Sequence, residues 1–134
     1  MTAILVDSNV LLDIFLDDSR WAGWSKGQLD QWSARGPMIV NSMIYAELAA
    51  GFDSVGTLDA SLKRGRLGFA EIPKEGLFLA AKAHLVYRQR GGAHRGVLPD
   101  FLIGAHASIA RIPLLTRDPR RYRSYFPKLE IVSP

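Results

Sequence analysis

Ala3-Ile4-Leu5-Val6-Asp7-Ser8-Asn9-Val10-Leu11-Leu12-Asp13 is the stretch on which the fold turns. Its first four residues are apolar with no polar alternation, as in a strand buried on both faces of a parallel sheet. From residue 10 to residue 16 the pattern becomes helical, so strand passes into helix through Asp7, Ser8 and Asn9. Ligands of open parallel sheets bind outside the carboxyl ends of the strands. A carboxylate directly after the first strand therefore stands on the functional edge.

The same pattern repeats along the chain. Residues 38–40 and 114–116 are further unalternating apolar runs, and residues 69–72 and 129–132 are weaker strand candidates. Helical patterns occupy residues 21–34, 43–50, 58–63, 77–90 and 101–111, separated by turn formers such as Gly36-Pro37, Gly65, Pro73, Gly91-Gly92, Pro99, Pro113 and Pro119. No break is long enough for an interdomain linker, and no repeat of 20 to 50 residues is present. The expectation is an alternating α/β protein forming one domain over residues 1–134.

Composition narrows the chemistry. With 48% apolar and 22% charged residues, the 134-residue chain has the balance of an ordinary globular domain. No apolar stretch reaches the roughly 20 residues of a membrane span, and no basic-then-apolar leader precedes the first strand, which points to the cytoplasm. The absence of cysteine excludes disulfides, thiolate nucleophiles and Cys-ligated zinc.

Seventeen Lys and Arg against 13 Asp and Glu leave a net charge of +4, unevenly spread. Residues 1–18 carry only acids, whereas Arg88, Arg90, Arg95, Arg111, Arg117, Arg120, Arg121, Arg123 and Lys128 face only Asp100 and Asp118 over residues 88–128. Such a region suits a polyanion, nucleic acid first, or is simply a solvated basic surface.

Four acids fall where strands end or helices begin. Asp7 follows the first strand, and Glu47 lies one to two turns into the helix that Ser42 can cap. Met43, Ile44, Glu47 and Leu48 share a helical stripe, which places Glu47 among core-facing groups. Asp100 follows Pro99 at a helix N-terminus, and Asp118 stands between the 114–116 strand and Pro119. Each acid alone has an ordinary explanation as a cap, turn former or salt-bridge partner.

Together they can converge on one sheet edge, where mutual repulsion calls for a cation. Oxygen-only ligation points to Mg²⁺ or Mn²⁺ and to phosphodiester hydrolysis by a metal-activated water. Asp7 and Asp100 are the expected principal ligands. Glu47 is a ligand or the acceptor that positions the attacking water, and Asp118 is a second-metal or outer ligand. Asn9, Thr116 and Ser8 could orient ligands or waters, with a helix cap as the alternative role for Ser8.

The segments Asp7-Ser8-Asn9-Val10-Leu11-Leu12-Asp13, Tyr45-Ala46-Glu47-Leu48, Pro99-Asp100-Phe101-Leu102-Ile103-Gly104-Ala105-His106-Ala107 and Thr116-Arg117-Asp118 resemble the PIN-domain ribonucleases, with VapC-type toxins as the nearest subgroup. The resemblance spans nearly the whole chain and keeps all four acids in order. Ser8 stands where many relatives carry Thr, which preserves the hydroxyl. It implies a three-layer α/β/α fold with a five-stranded parallel sheet, Mg²⁺ or Mn²⁺ dependence, and endonucleolytic cleavage of RNA. It also implies a homodimer and a cognate VapB-type antitoxin whose C-terminal segment obstructs the acidic site.

Other residues carry weaker expectations. Asp13, Asp17 and Asp18 read as a solvated face, outside the site. His106, six residues past Asp100, points about 120° away from it. His84 belongs to an amphipathic helix, and only His94, in the 91–96 loop, could approach substrate. Trp21, Trp24 and Trp32 read as core packing, with an interface role as the alternative. Arg117, Arg120 and Arg121 are candidates for RNA phosphate contacts.

Two rival readings remain, and a third fails. One is a catalytically silent RNA- or protein-binding module of the same fold, and another is a housekeeping RNA-processing nuclease. A phosphotransfer receiver domain would need an acidic pair after the first strand and an Asp after a central strand, and no Asp follows Val40.

Overall fold

The computed structural model describes residues 2–134. Five strands form one sheet: β1 (Ile4–Val6), β2 (Met38–Val40), β3 (Leu67–Phe69), β4 (Leu114–Leu115) and β5 (Ile131–Val132). They run in the order β3-β2-β1-β4-β5, every neighbouring pair parallel. Helices flank the sheet in a three-layer α/β/α arrangement: α1 (Ser8–Phe15), α2 (Ala22–Ser33), α3 (Ser42–Ala49), α4 (Val55–Arg64), α5 (Lys74–Gln89), α6 (Pro99–Ala110) and α7 (Arg120–Tyr125).

β1 is central because all three of its side chains are fully buried, which the unalternating Ile4-Leu5-Val6 run allows and an alternating strand would not. Burying each such residue contributes roughly 1.5–3 kcal/mol. Order reverses at this strand: the chain first builds outward to β2 and β3, then returns past β1 to add β4 and β5. The crevice beyond the carboxyl ends of β1 and β4 is thus the switch point where such sheets bind ligands.

The largest departures from the sequence expectations are in two strands and one helix. β3 begins at Leu67 rather than residue 69, because Arg66 adopts a left-handed turn (φ 62°) that lets Leu67 bury itself and leaves Phe69 exposed at the sheet edge. β5 is shorter than expected, limited to Ile131 and Val132. Helix α7 was not anticipated: four of its residues are polar, yet Tyr122 and the following Phe126, one turn apart, are both buried. No helix among the described residues is long and apolar enough to cross a membrane.

Candidate active site

Three turns of chain converge beyond β1 and β4. Asp7 ends β1 and caps α1, its Oδ1 accepting the Ser8 backbone N–H at 2.8 Å. The expected cap Ser8 is thereby free to turn its hydroxyl outward, and it donates to Glu47 Oε1 at 3.0 Å. Asp7 Oδ2 accepts two hydroxyls, from Thr116 at 2.9 Å and Tyr122 at 2.8 Å. The Tyr122 hydroxyl also lies 3.5 Å from Asp100 Oδ1, at the start of α6. The sequence motifs at Asp7, Glu47 and Asp100 are therefore brought together.

Thr116 is the hub of a second ring of contacts. Its hydroxyl donates to Asp7 and accepts from Asn9 Nδ2 at 3.1 Å and from the Asp118 backbone N–H at 3.2 Å, which uses its full hydrogen-bonding capacity. Asn9 in turn accepts the Arg117 backbone N–H at 3.0 Å. Asn9 and Thr116 thus tie the turn after β4 to α1 and to the Asp7 carboxylate.

Burial pushes the Asp7 carboxyl above its ordinary pKa, and the charge of Asp100 adds to this, although the hydroxyls of Tyr122 and Thr116 oppose it. Glu47 is also raised, chiefly by desolvation and further by Asp7 and Asp100, against the Ser8 hydrogen bond. Tyr122, buried beside these acids, is raised well above 10 and stays a proton donor. Like charge is therefore concentrated here, and among the described residues no cation pairs with Asp7 or Glu47.

Several expectations need correction. Glu47 is not turned to the core: Ile44 and Leu48 are the buried residues of α3, while Glu47 is exposed and its carboxyl accepts the Ser8 hydroxyl. Asn41, not Ser42, caps α3, its Oδ1 accepting the Ile44 N–H at 3.0 Å. Asp118 is exposed and its carboxylate makes no hydrogen bond among the described residues. It shares with Asp100, Arg120, Arg121 and Tyr125 a shallow cavity of about 410 Å³.

Asp13 is not solvated but 3% exposed, receiving both Arg117 Nε and Nη2 at 2.8 Å and the Ser25 hydroxyl at 2.9 Å. Arg117, stacked over Trp21 at 5.4 Å, is consequently an internal anchor rather than a phosphate contact. Arg121 pairs with Asp100 Oδ2 at 3.1 Å, and Arg120 is exposed.

His106 is buried, accepts Asn41 Nδ2 at Nδ1 (3.0 Å) and is held below its usual pKa by burial. His84 is buried and donates from Nε2 to the Arg95 carbonyl at 3.0 Å, pinning the loop after α5. His94, exposed in that loop, stacks on Tyr87 with centroids 6.3 Å apart and does not reach the carboxylates. Trp24 and Trp32 pack on the core, and Trp21 stands edge-on to Trp24.

Among the described residues, no three acids or histidines are drawn into a ready-made metal cage. The donor set nevertheless fits a divalent ion. All its donors are carboxylate or hydroxyl oxygens, the preference of Mg²⁺ and Mn²⁺, and the charge of Asp100 lies close enough to raise the proton affinity of both Asp7 and Glu47. A cation would relieve that repulsion. Tyr122 was missing from the sequence reading; the signal available was its apolar ring one turn before Phe126 in an otherwise basic segment.

An all-parallel five-stranded sheet with acids gathered at its switch point defines the class of domain. The chain belongs to the PIN domain family, which it matches over residues 4–127. No curated protein matches it in sequence. Among solved structures it is similar to VapBC2 from Rickettsia felis bound to a DNA fragment from their promoter, at 17% identity and TM-score 0.74, covering 98% of each chain. VapBC-1 from nontypeable Haemophilus influenzae shares 13% identity at TM-score 0.72, with 98% of this chain and 97% of that one covered. DNA-bound VapBC from Salmonella typhimurium shares 16% at TM-score 0.70, covering 99% and 98%.

Proposed function

We propose that this protein is a metal-dependent endoribonuclease acting as the toxin of a VapBC-type toxin–antitoxin pair. The observation that carries the reading is the convergence of Asp7, Glu47 and Asp100 at the carboxyl edge of the sheet, with Asp7 and Glu47 both raised in pKa. Asp7 and Asp100 would hold Mg²⁺ or Mn²⁺, with Glu47 beside them and Asp118 as an outer or second-metal ligand. Bound there, the ion supplies an activated water and charge neutralisation at a phosphate.

The chain's own residues do the rest. Thr116 and Ser8 fix the Asp7 carboxylate, and Glu47, steadied by Ser8, accepts a proton from the attacking water. Arg120 and Arg121 line the cavity beside Asp100 and Asp118, where they contact the RNA backbone. A VapB-type antitoxin, a homodimeric assembly and a cytoplasmic location complete the reading. Its support is the PIN membership together with structural likeness to VapBC complexes.

The test compares wild type with Asp7→Asn and Asp100→Asn on structured RNAs in Mg²⁺, Mn²⁺ or EDTA. Cleavage that needs the metal and is lost in both variants supports the assignment. Cleavage indifferent to chelation and mutation overturns the mechanism. Tight RNA binding with no cleavage under any condition would replace it with a binding module.

A further inference from the structure

We infer that Tyr122 is a positioning residue for the metal, its hydroxyl fixing the orientation of Asp7 beside Asp100. The inference rests on the metal-site reading above. Tyr122 is 1% exposed and donates its single proton to Asp7 Oδ2 at 2.8 Å, with Asp100 Oδ1 at 3.5 Å on its far side. Thr116 donates to that same Oδ2. A carboxylate oxygen has two lone-pair sites, so Oδ2 is saturated by the two hydroxyls.

Oδ1 differs. It accepts the Ser8 N–H at 2.8 Å and only a long 3.5 Å approach from the Ser8 hydroxyl, whose proton goes to Glu47. Asp7 therefore presents one free lone pair, on Oδ1, in an orientation that two hydroxyls and one amide hold in place. Tyr122 comes from α7, which packs on α6, so the hydroxyl also ties the position of Asp7 to the helix carrying Asp100. Partners of this kind typically change metal affinity 10- to 100-fold when removed.

The test titrates Mn²⁺ by electron paramagnetic resonance into wild type, Tyr122→Phe, Asp7→Asn and Phe126→Leu, with each melting temperature recorded. Phe126 shares the Gly104 surface with the Tyr122 ring, so Phe126→Leu perturbs the packing and leaves the hydroxyl. Tyr122→Phe is expected to weaken Mn²⁺ binding by about tenfold or more. Phe126→Leu is expected to melt lower and bind Mn²⁺ as wild type does. Unchanged or tighter binding in Tyr122→Phe, with Asp7→Asn weakened, overturns the role of Tyr122 alone. Parallel losses in Tyr122→Phe and Phe126→Leu reduce Tyr122 to packing. Wild-type binding that is absent or indifferent to Asp7→Asn overturns both this inference and the metal site.

Discussion

Asp7 and Asp13 sit at the start and near the end of the same helix, 4% and 3% exposed, and have opposite surroundings. Asp13 meets a bidentate guanidinium from Arg117 and a hydroxyl from Ser25. Asp7 meets only neutral donors and two further acids. Buried charges are normally paired or bound to metal. The difference separates two uses of a buried acid: Asp13 is an internal fastening that is already complete, while Asp7 has no cationic partner among the described residues, the gap that the proposed metal would fill.

Exchanging each acid for a neutral residue should break the comparison most visibly. Asp13→Ala leaves Arg117 without its partner and should lower unfolding stability by about 3 kcal/mol, read by urea denaturation. Asp7→Asn removes a desolvated, repelled charge and should hold or raise stability while RNA cleavage disappears. Equal destabilisation by both would erase the distinction. Arg117→Met approaches from the other side, strands the buried Asp13 carboxylate and should cost about 2 kcal/mol by the same urea denaturation.

A gentler probe is pH. Because the folded pKa values of Asp7 and Glu47 lie above their unfolded ones, the native state holds more protons between the two values. Their contribution therefore favours folding at low pH and is lost as pH rises from the ordinary carboxylate range through the raised values. Asp7→Asn should flatten that decline in a pH series of thermal melts. A wild-type slope no steeper than that of the variant would contradict the reading of Asp7.

The smallest expected effect concerns the arginines. Arg120→Ala should reduce the salt dependence of RNA binding by about one unit of log–log slope. Arg117→Ala, already committed to Asp13, should leave the slope alone. A filter-binding series at several salt concentrations distinguishes the two.

What could be read from the chain follows the range of the interactions. Asp7 was legible because a buried strand announces where it ends, and Asp100 because Pro99 marks a helix start. Asn9 and Thr116 were legible through proximity to those ends. Asp13 was misread because an acid in a first helix carries no local sign of an arginine 104 positions away. Glu47 was placed on the wrong side of its stripe for a related reason: periodicity gives the face of a helix, not how far its edge lies from the sheet. Tyr122 was invisible because its partners, Asp7 and Asp100, are supplied by two other elements.

Gly104 connects these distant parts. A Cβ atom there would stand 2.5 Å from the Phe126 ring and 3.1 Å from the Tyr122 ring. The absent methyl acts as a gauge block: it sets how closely α7 seats on α6 and so the reach of the Tyr122 hydroxyl to Asp7. A chain that acquired alanine at this position would keep every acid of its site and yet lose their calibration, a form of inactivation that inspection of the acidic motif would not reveal.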